Sequence, residues 1–200
     1  MCALNDNVYI IGGSFSNEVE KFSFKDFETQ KMPKMCFDRK DSSCCIVDAQ
    51  FLFVFMGYSS KTEGICSSLE KLDVTDFCGS QFFEMISMYD PYETGMFRIK
   101  CGIIHAKAQN SVTGRYEDKF LLLGGWKPRT GVTDCIAMFD LKTLNIQLTK
   151  NKLASPTCFT EKMLLSTNLK NYFNFTEGSL KFISYDIETG TSAEEEACLP

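Results

Sequence analysis

A short apolar run that ends in glycine, turns through polar residues and re-enters an apolar segment is the pattern this chain repeats. It appears first as Val8-Tyr9-Ile10-Ile11-Gly12-Gly13, followed by Val19-Glu20-Lys21-Phe22-Ser23-Phe24. It returns as Lys119-Phe120-Leu121-Leu122-Leu123-Gly124-Gly125, followed by Ile136-Ala137-Met138-Phe139-Asp140-Leu141. A worn copy lies between them, Phe51-Leu52-Phe53-Val54-Phe55-Met56-Gly57 and then Leu69 to Val74. Runs this short, bounded by turn residues, are strands rather than helices. A unit that recurs cannot bury its apolar faces alone and must stack on its neighbours.

The spacing gives the size of the unit. Gly13 to Gly57 is 44 residues and Gly57 to Gly125 is 68. The matching positions Phe22, Leu72, Phe139 and Tyr185 step by 50, 67 and 46. The long step predicts an insertion of about 20 residues in the middle unit relative to a period of about 50. Within a unit the pattern predicts four short antiparallel strands. Ser42 to Val47 reads as a strand buried on both faces, Phe82 to Ile86 as an outer strand and Ile99 to Ala106 as the next inner one. Met1 falls just before what reads as the middle of a unit. The approximate units are 1–36, 37–88, 97–150 and 158–190; the fourth lacks the double glycine and is degenerate. The tail 191–200 carries Glu194-Glu195-Glu196 and is expected to be solvated and disordered.

Composition narrows the function. The net charge of −5 argues against a nucleic-acid binder, which needs a basic surface. No apolar stretch approaches the ~20 residues that span a bilayer, so no membrane partner is expected. The N-terminus lacks the charged and apolar regions of a signal peptide, which points to a cytoplasmic protein. Ten cysteines with no Cys-x-x-Cys pair, and a single histidine, His105, argue against zinc sites. Reduced core thiols are the expectation, with Cys44, Cys45, Cys101 and Cys135 inside apolar runs. His105 lies in such a run and is expected to be a satisfied core histidine. No nucleophile elbow, P-loop or dinucleotide fingerprint is present, so no cofactor and no catalytic residues are assigned. The loop carboxylates Asp38, Asp41, Glu117 and Asp118 read as solvated charge.

These residues resemble the kelch family of β-propellers. The resemblance rests on Tyr9-Ile10-Ile11-Gly12-Gly13 and Leu121-Leu122-Leu123-Gly124-Gly125. Each is followed by a strand that ends in an aromatic, a small or acidic and an apolar residue (Phe22-Ser23-Phe24, Phe139-Asp140-Leu141) and then a Thr turn at Thr29 or Thr143. Met32-Pro33 and the downstream Arg39 resemble the family's outer strand and the arginine that opens the next blade. The family's outer-strand tryptophan is missing, and Met56 stands where the second unit's first glycine would be. The resemblance implies an all-β chain of kelch-type β-propeller blades, three clear four-stranded repeats and a degenerate fourth. Kelch rings usually close with about six blades. An incomplete ring, a small four-bladed ring and closure by a partner chain are therefore the alternatives.

The resemblance also implies a non-enzymatic protein–protein interaction module. Its alternatives are a propeller-class enzyme acting on a small molecule in the central channel and a truncated copy with no function of its own. Binding would use the turns Ser14–Asn17, Tyr58–Gly64 and Trp126–Gly131 and the links Lys34–Lys40 and Pro91–Arg98. The candidate protein-binding residues are Arg39, Tyr58, Lys61, Arg98, Trp126, Lys127 and Arg129. Arg39 and Arg98 have two readings, a basic rim or structural arginines bonded to a neighbouring blade. Gly12, Gly13, Gly57, Gly124 and Gly125 are the structural repeat glycines.

Overall fold

The computed structural model describes residues 1–75, 83–88, 97–109, 116–158, 163–165, 171–175, 181–186 and 189–196. Every regular element among them is a strand. The described residues therefore contain no helix long and apolar enough to cross a membrane. The first sheet holds β1 (Cys2–Leu4), β2 (Asn7–Gly13), β3 (Ser16–Ser23) and β4 (Thr29–Lys31). The second begins with β5 (Ser43–Val47) and β6 (Phe51–Phe55). After a small ribbon of β7 (Tyr58–Ser59) and β8 (Gly64–Ile65), it continues with β9 (Ser68–Asp73) and β10 (Glu84–Ser87). The third repeats this plan with β11 (Gly102–Gln109), β12 (Tyr116–Leu123), a ribbon of β13 (Trp126–Lys127) and β14 (Gly131–Val132), then β15 (Cys135–Asp140) and β16 (Ile146–Lys152). The fourth holds β17 (Met163–Leu165), β18 (Asn171–Phe175), β19 (Lys181–Asp186) and β20 (Ser192–Glu196). In each four-stranded sheet the strands pair antiparallel and in chain order, ribbons apart.

The apolar runs work because side chains on a strand alternate between faces. On β6, Leu52 and Val54 enter a cluster with Tyr9, Val19, Met32 and Met35 of the first sheet and its link. Phe53 and Phe55 enter another, with Ile103, Phe120, Leu122 and Phe139 of the third sheet. On β12 the split recurs, with Leu123 and the partly buried Leu121 facing Ile183 and Tyr185 of the fourth. The sheets thus stack face to face in chain order, with β6 and β12 covered on both sides. Phe120 sits 5.1 Å from Phe53 and 4.9 Å from Phe55, ring centre to ring centre. Such pairs add about 0.5–1.5 kcal/mol beyond the area they bury.

Five expectations are corrected here. The 191–200 tail is not unstructured throughout, because Ser192–Glu196 is the edge strand β20, paired with β19 from Tyr185↔Ser192 to Lys181↔Glu196. Main-chain bonding needs no apolar side chain, and the turn before it is closed by Gly190 N–H to Asp186 O at 2.9 Å. The fourth unit accordingly runs past 190. At the other end, Cys2–Leu4 supplies the first unit with a first strand of its own. β5 is half-buried except at Val47, because it is an edge strand of its sheet rather than a central one. Finally, β11 starts at Gly102, three residues later than predicted, because Ile99 pairs instead with Trp126.

Candidate functional site

Gly57 and Gly125 end the central strands of the second and third sheets in the same way. Their φ angles are +90° and +98°, a region glycine reaches without steric cost. A Cβ on Gly57 would lie 2.9 Å from Ser42 Cβ, and one on Gly125 2.9 Å from Ile99 O. The close approach lets each incoming link pair with the chain beyond the glycine. Lys40 and Tyr58 exchange two backbone hydrogen bonds of 2.8 Å, and Ile99 and Trp126 exchange bonds of 3.0 and 2.8 Å. The residue before each glycine also has left-handed backbone, Gly124 at φ +55° and Met56 at +53°. Met56 tolerates it because its side chain is fully buried in the core between the second and third sheets.

The pairing holds Tyr58 and Trp126 in corresponding positions just outside the core, 44% and 38% exposed. The first sheet offers Phe15 at its own glycine-ended turn, 84% exposed and at φ +60°. Ser14, Phe15, Asp38, Lys40, Tyr58 and Ser60 line a cavity of about 150 Å³. The first turn, the 34–40 link and the second turn therefore meet around one hollow. Beside it, Lys61 is exposed and its Nζ donates to Cys36 O at 3.3 Å. In the third unit Lys127 is half-buried and Arg129 exposed.

Asp38 is not the solvated loop charge expected of it. It is buried, and it accepts from Ser59 Oγ at 2.7 Å, Ser60 Oγ at 2.5 Å and Ser60 N–H at 2.9 Å. The Ser60 and Ser59 hydroxyls, then the Ser60 amide, hold its carboxyl well below the usual carboxylate range. Asp118, its fellow in that expectation, is half-buried and hydrogen-bonded to His105 Nε2 at 2.8 Å.

Arg39 and Arg98 do not form an exposed basic rim. Both are wholly buried. Arg39 donates to Met56 O at 2.6 Å, Ser68 O at 2.9 Å, Ser68 Oγ at 2.9 Å and Glu70 Oε1 at 2.8 Å. Arg98 donates to Leu122 O at 2.7 Å and Cys135 O at 3.0 Å. Both arginines tie a link to the sheet it opens. Of the residues singled out from sequence, Tyr58, Lys61, Trp126, Lys127 and Arg129 keep surface positions. Phe15, Lys40 and Ser60 lie within the turns and link expected to bind but were not among the individual candidate residues; the only sequence signal for Phe15 is an aromatic residue inside a polar turn. The 91–96 part of the second link lies outside the described residues. No family model matches the chain, and no curated protein is significantly similar to it.

Proposed function

We propose that the chain is a non-enzymatic protein-interaction module built from kelch-type propeller blades, one blade to each four-stranded sheet, and that it binds through the turns that follow the glycine-ended strands. The stacking of the four sheets in chain order supports the architecture. The observation that carries the binding reading is the set of three exposed aromatic residues, Phe15, Tyr58 and Trp126, one at the corresponding end of each of three sheets. Large aromatic side chains lose apolar contact with water only when something covers them, and they anchor interfaces at low entropic cost. Lys40, Lys61 and Arg129 add exposed cations to a chain that is acidic overall.

The test compares the wild-type chain with the triple variant Phe15→Ser, Tyr58→Ser, Trp126→Ser, matched for melting temperature. A protein captured by the first and lost by the second supports the reading. Equal capture by both, or turnover of a small molecule with no captured partner, overturns it.

A further inference from the structure

Strand β1 of the first sheet packs against β5 of the second, and this contact brings two cysteines together. Cys2 and Cys44 are both half-buried, both free thiols, and both members of the apolar cluster between these sheets. Both thiols pack against the same cluster, one from each of the two contacting strands. Alternation along β5 separates Cys44 from its neighbour. Cys45 faces the opposite cluster, shared with the third sheet. Three other described thiols have partners that are not cysteine: Cys36 donates to Phe83 O at 3.8 Å, Cys135 to Asp134 Oδ1 at 3.7 Å, and Cys101 Sγ lies 3.3 Å from Ser43 Oγ.

We propose that Cys2 and Cys44 form a redox-modification site, which a peroxide closes to a disulfide that straps the first sheet to the second. The two thiols have distinct tasks. The neighbouring Cys2 thiol draws the Cys44 thiol down to about 7, while Cys44, with burial, pushes Cys2 up. Cys44 is therefore the group that ionises near neutrality and attacks, and Cys2 the one that resolves. The Cys44 thiolate attacks one peroxide oxygen and the O–O bond breaks, giving a sulfenic acid and hydroxide. The hydroxide takes up the proton that Cys44 released and leaves as water. The Cys2 sulfur then attacks the sulfenic sulfur, the S–O bond breaks, and a second water leaves with the Cys2 proton. Two thiols lose two electrons and the peroxide is reduced to two waters.

The disulfide joins positions 42 residues apart and so restricts the unfolded chain. Its formation does not depend on the binding function proposed above. The test treats the reduced full chain with hydrogen peroxide near neutral pH, blocks residual thiols and maps the peptides. The expected product is a Cys2–Cys44 cross-linked peptide with a melting temperature raised by roughly 5–10 °C, reversed by dithiothreitol. Cys45→Ser should keep the cross-link and Cys44→Ser should abolish it; if Cys44→Ser does not fold, the wild-type map decides alone. A sulfinic acid on Cys44 beside a free Cys2, a cross-link to a different cysteine, or an unreacted pair would overturn the proposal.

Discussion

Arg39 Nε donates to Glu70 Oε1 at 2.8 Å, and both side chains are completely withdrawn from solvent. Glu70 also accepts the backbone N–H groups of Cys36 at 2.6 Å and Phe37 at 3.3 Å, so the pair pins the link into the second sheet. The third unit keeps the arginine and loses the acid. Glu70 pairs with Val54 in its sheet, and the residue that pairs with the corresponding Leu122 is Ala137. Arg98 has no carboxylate partner among the described residues, and its Nε lacks a hydrogen-bond partner there. Burial pulls its guanidinium below the ordinary arginine range.

The two arginines should therefore respond differently to the same change. Arg39→Met strands Glu70 as a buried, uncompensated charge and should cost about 3–5 kcal/mol. Arg98→Met gives up two bonds to carbonyls but also removes a desolvated cation, and should cost less than about 2 kcal/mol. Urea unfolding of both variants beside the wild type gives the comparison. Equal losses would mean that Glu70 contributes nothing specific.

Glycine substitutions should grade by what a Cβ meets. At Gly57 and Gly125 it meets Ser42 Cβ or Ile99 O at 2.9 Å in a backbone that also disfavours side chains. Gly131 has φ +79° but nothing within 4 Å of a Cβ. Gly131→Ala should therefore cost only the conformational part, about 1–2 kcal/mol. Gly57→Ala and Gly125→Ala should each exceed it by about 1 kcal/mol or more, because the link must shift. Thermal melts of the three variants rank them; a Gly131 variant as unstable as the other two would contradict the steric account.

Much of this architecture was legible from the residues. Leu52, Phe53, Val54 and Phe55 form an unbroken apolar run that reads as a strand, and it is one; the burial on both faces expected of Ser42–Val47 belongs to this strand instead. The glycine at 57 or 125 announced the close approach of another strand. What escaped detection depends on main-chain pairing or on partners remote in sequence. Ser192–Glu196 pairs through its backbone, which three glutamates do nothing to advertise. Asp38 looks like any loop carboxylate until the fold brings Ser59 and Ser60 onto it. The charge of Arg39 gives no hint that Glu70, 31 residues away, will bury it.

Asp38 carries a pH dependence with a definite sign. The Ser60 and Ser59 hydroxyls lower its pKa in the folded chain. An acid depressed on folding contributes stability that is present above its unfolded value of about 3.9 and is lost as pH falls towards the folded one. Asp38→Asn should be less stable than the wild type at neutral pH. The gap should narrow as pH falls below about 4. Unfolding free energies across that range test it, and a gap that stays constant with pH would show that Asp38 acts by shape alone.

Phe15 combines two unfavourable features, 84% exposure of an aromatic ring and a φ of +60°. Left-handed backbone costs a residue with a Cβ about 1–2 kcal/mol, and glycine almost nothing. So little of the ring is covered that few contacts offset this cost. Phe15→Gly should therefore raise stability, by roughly 0.5–1 kcal/mol after the added freedom of the unfolded chain is counted. Asparagine, which also tolerates this region, should raise it less. If the ring is kept for binding, both variants should lose partner capture while melting at or above the wild-type temperature. Paired melting and capture measurements on Phe15→Gly separate the cases. A destabilised variant would show that the ring packs against its own turn, and a stabilised one with undiminished capture would remove Phe15 from the binding surface.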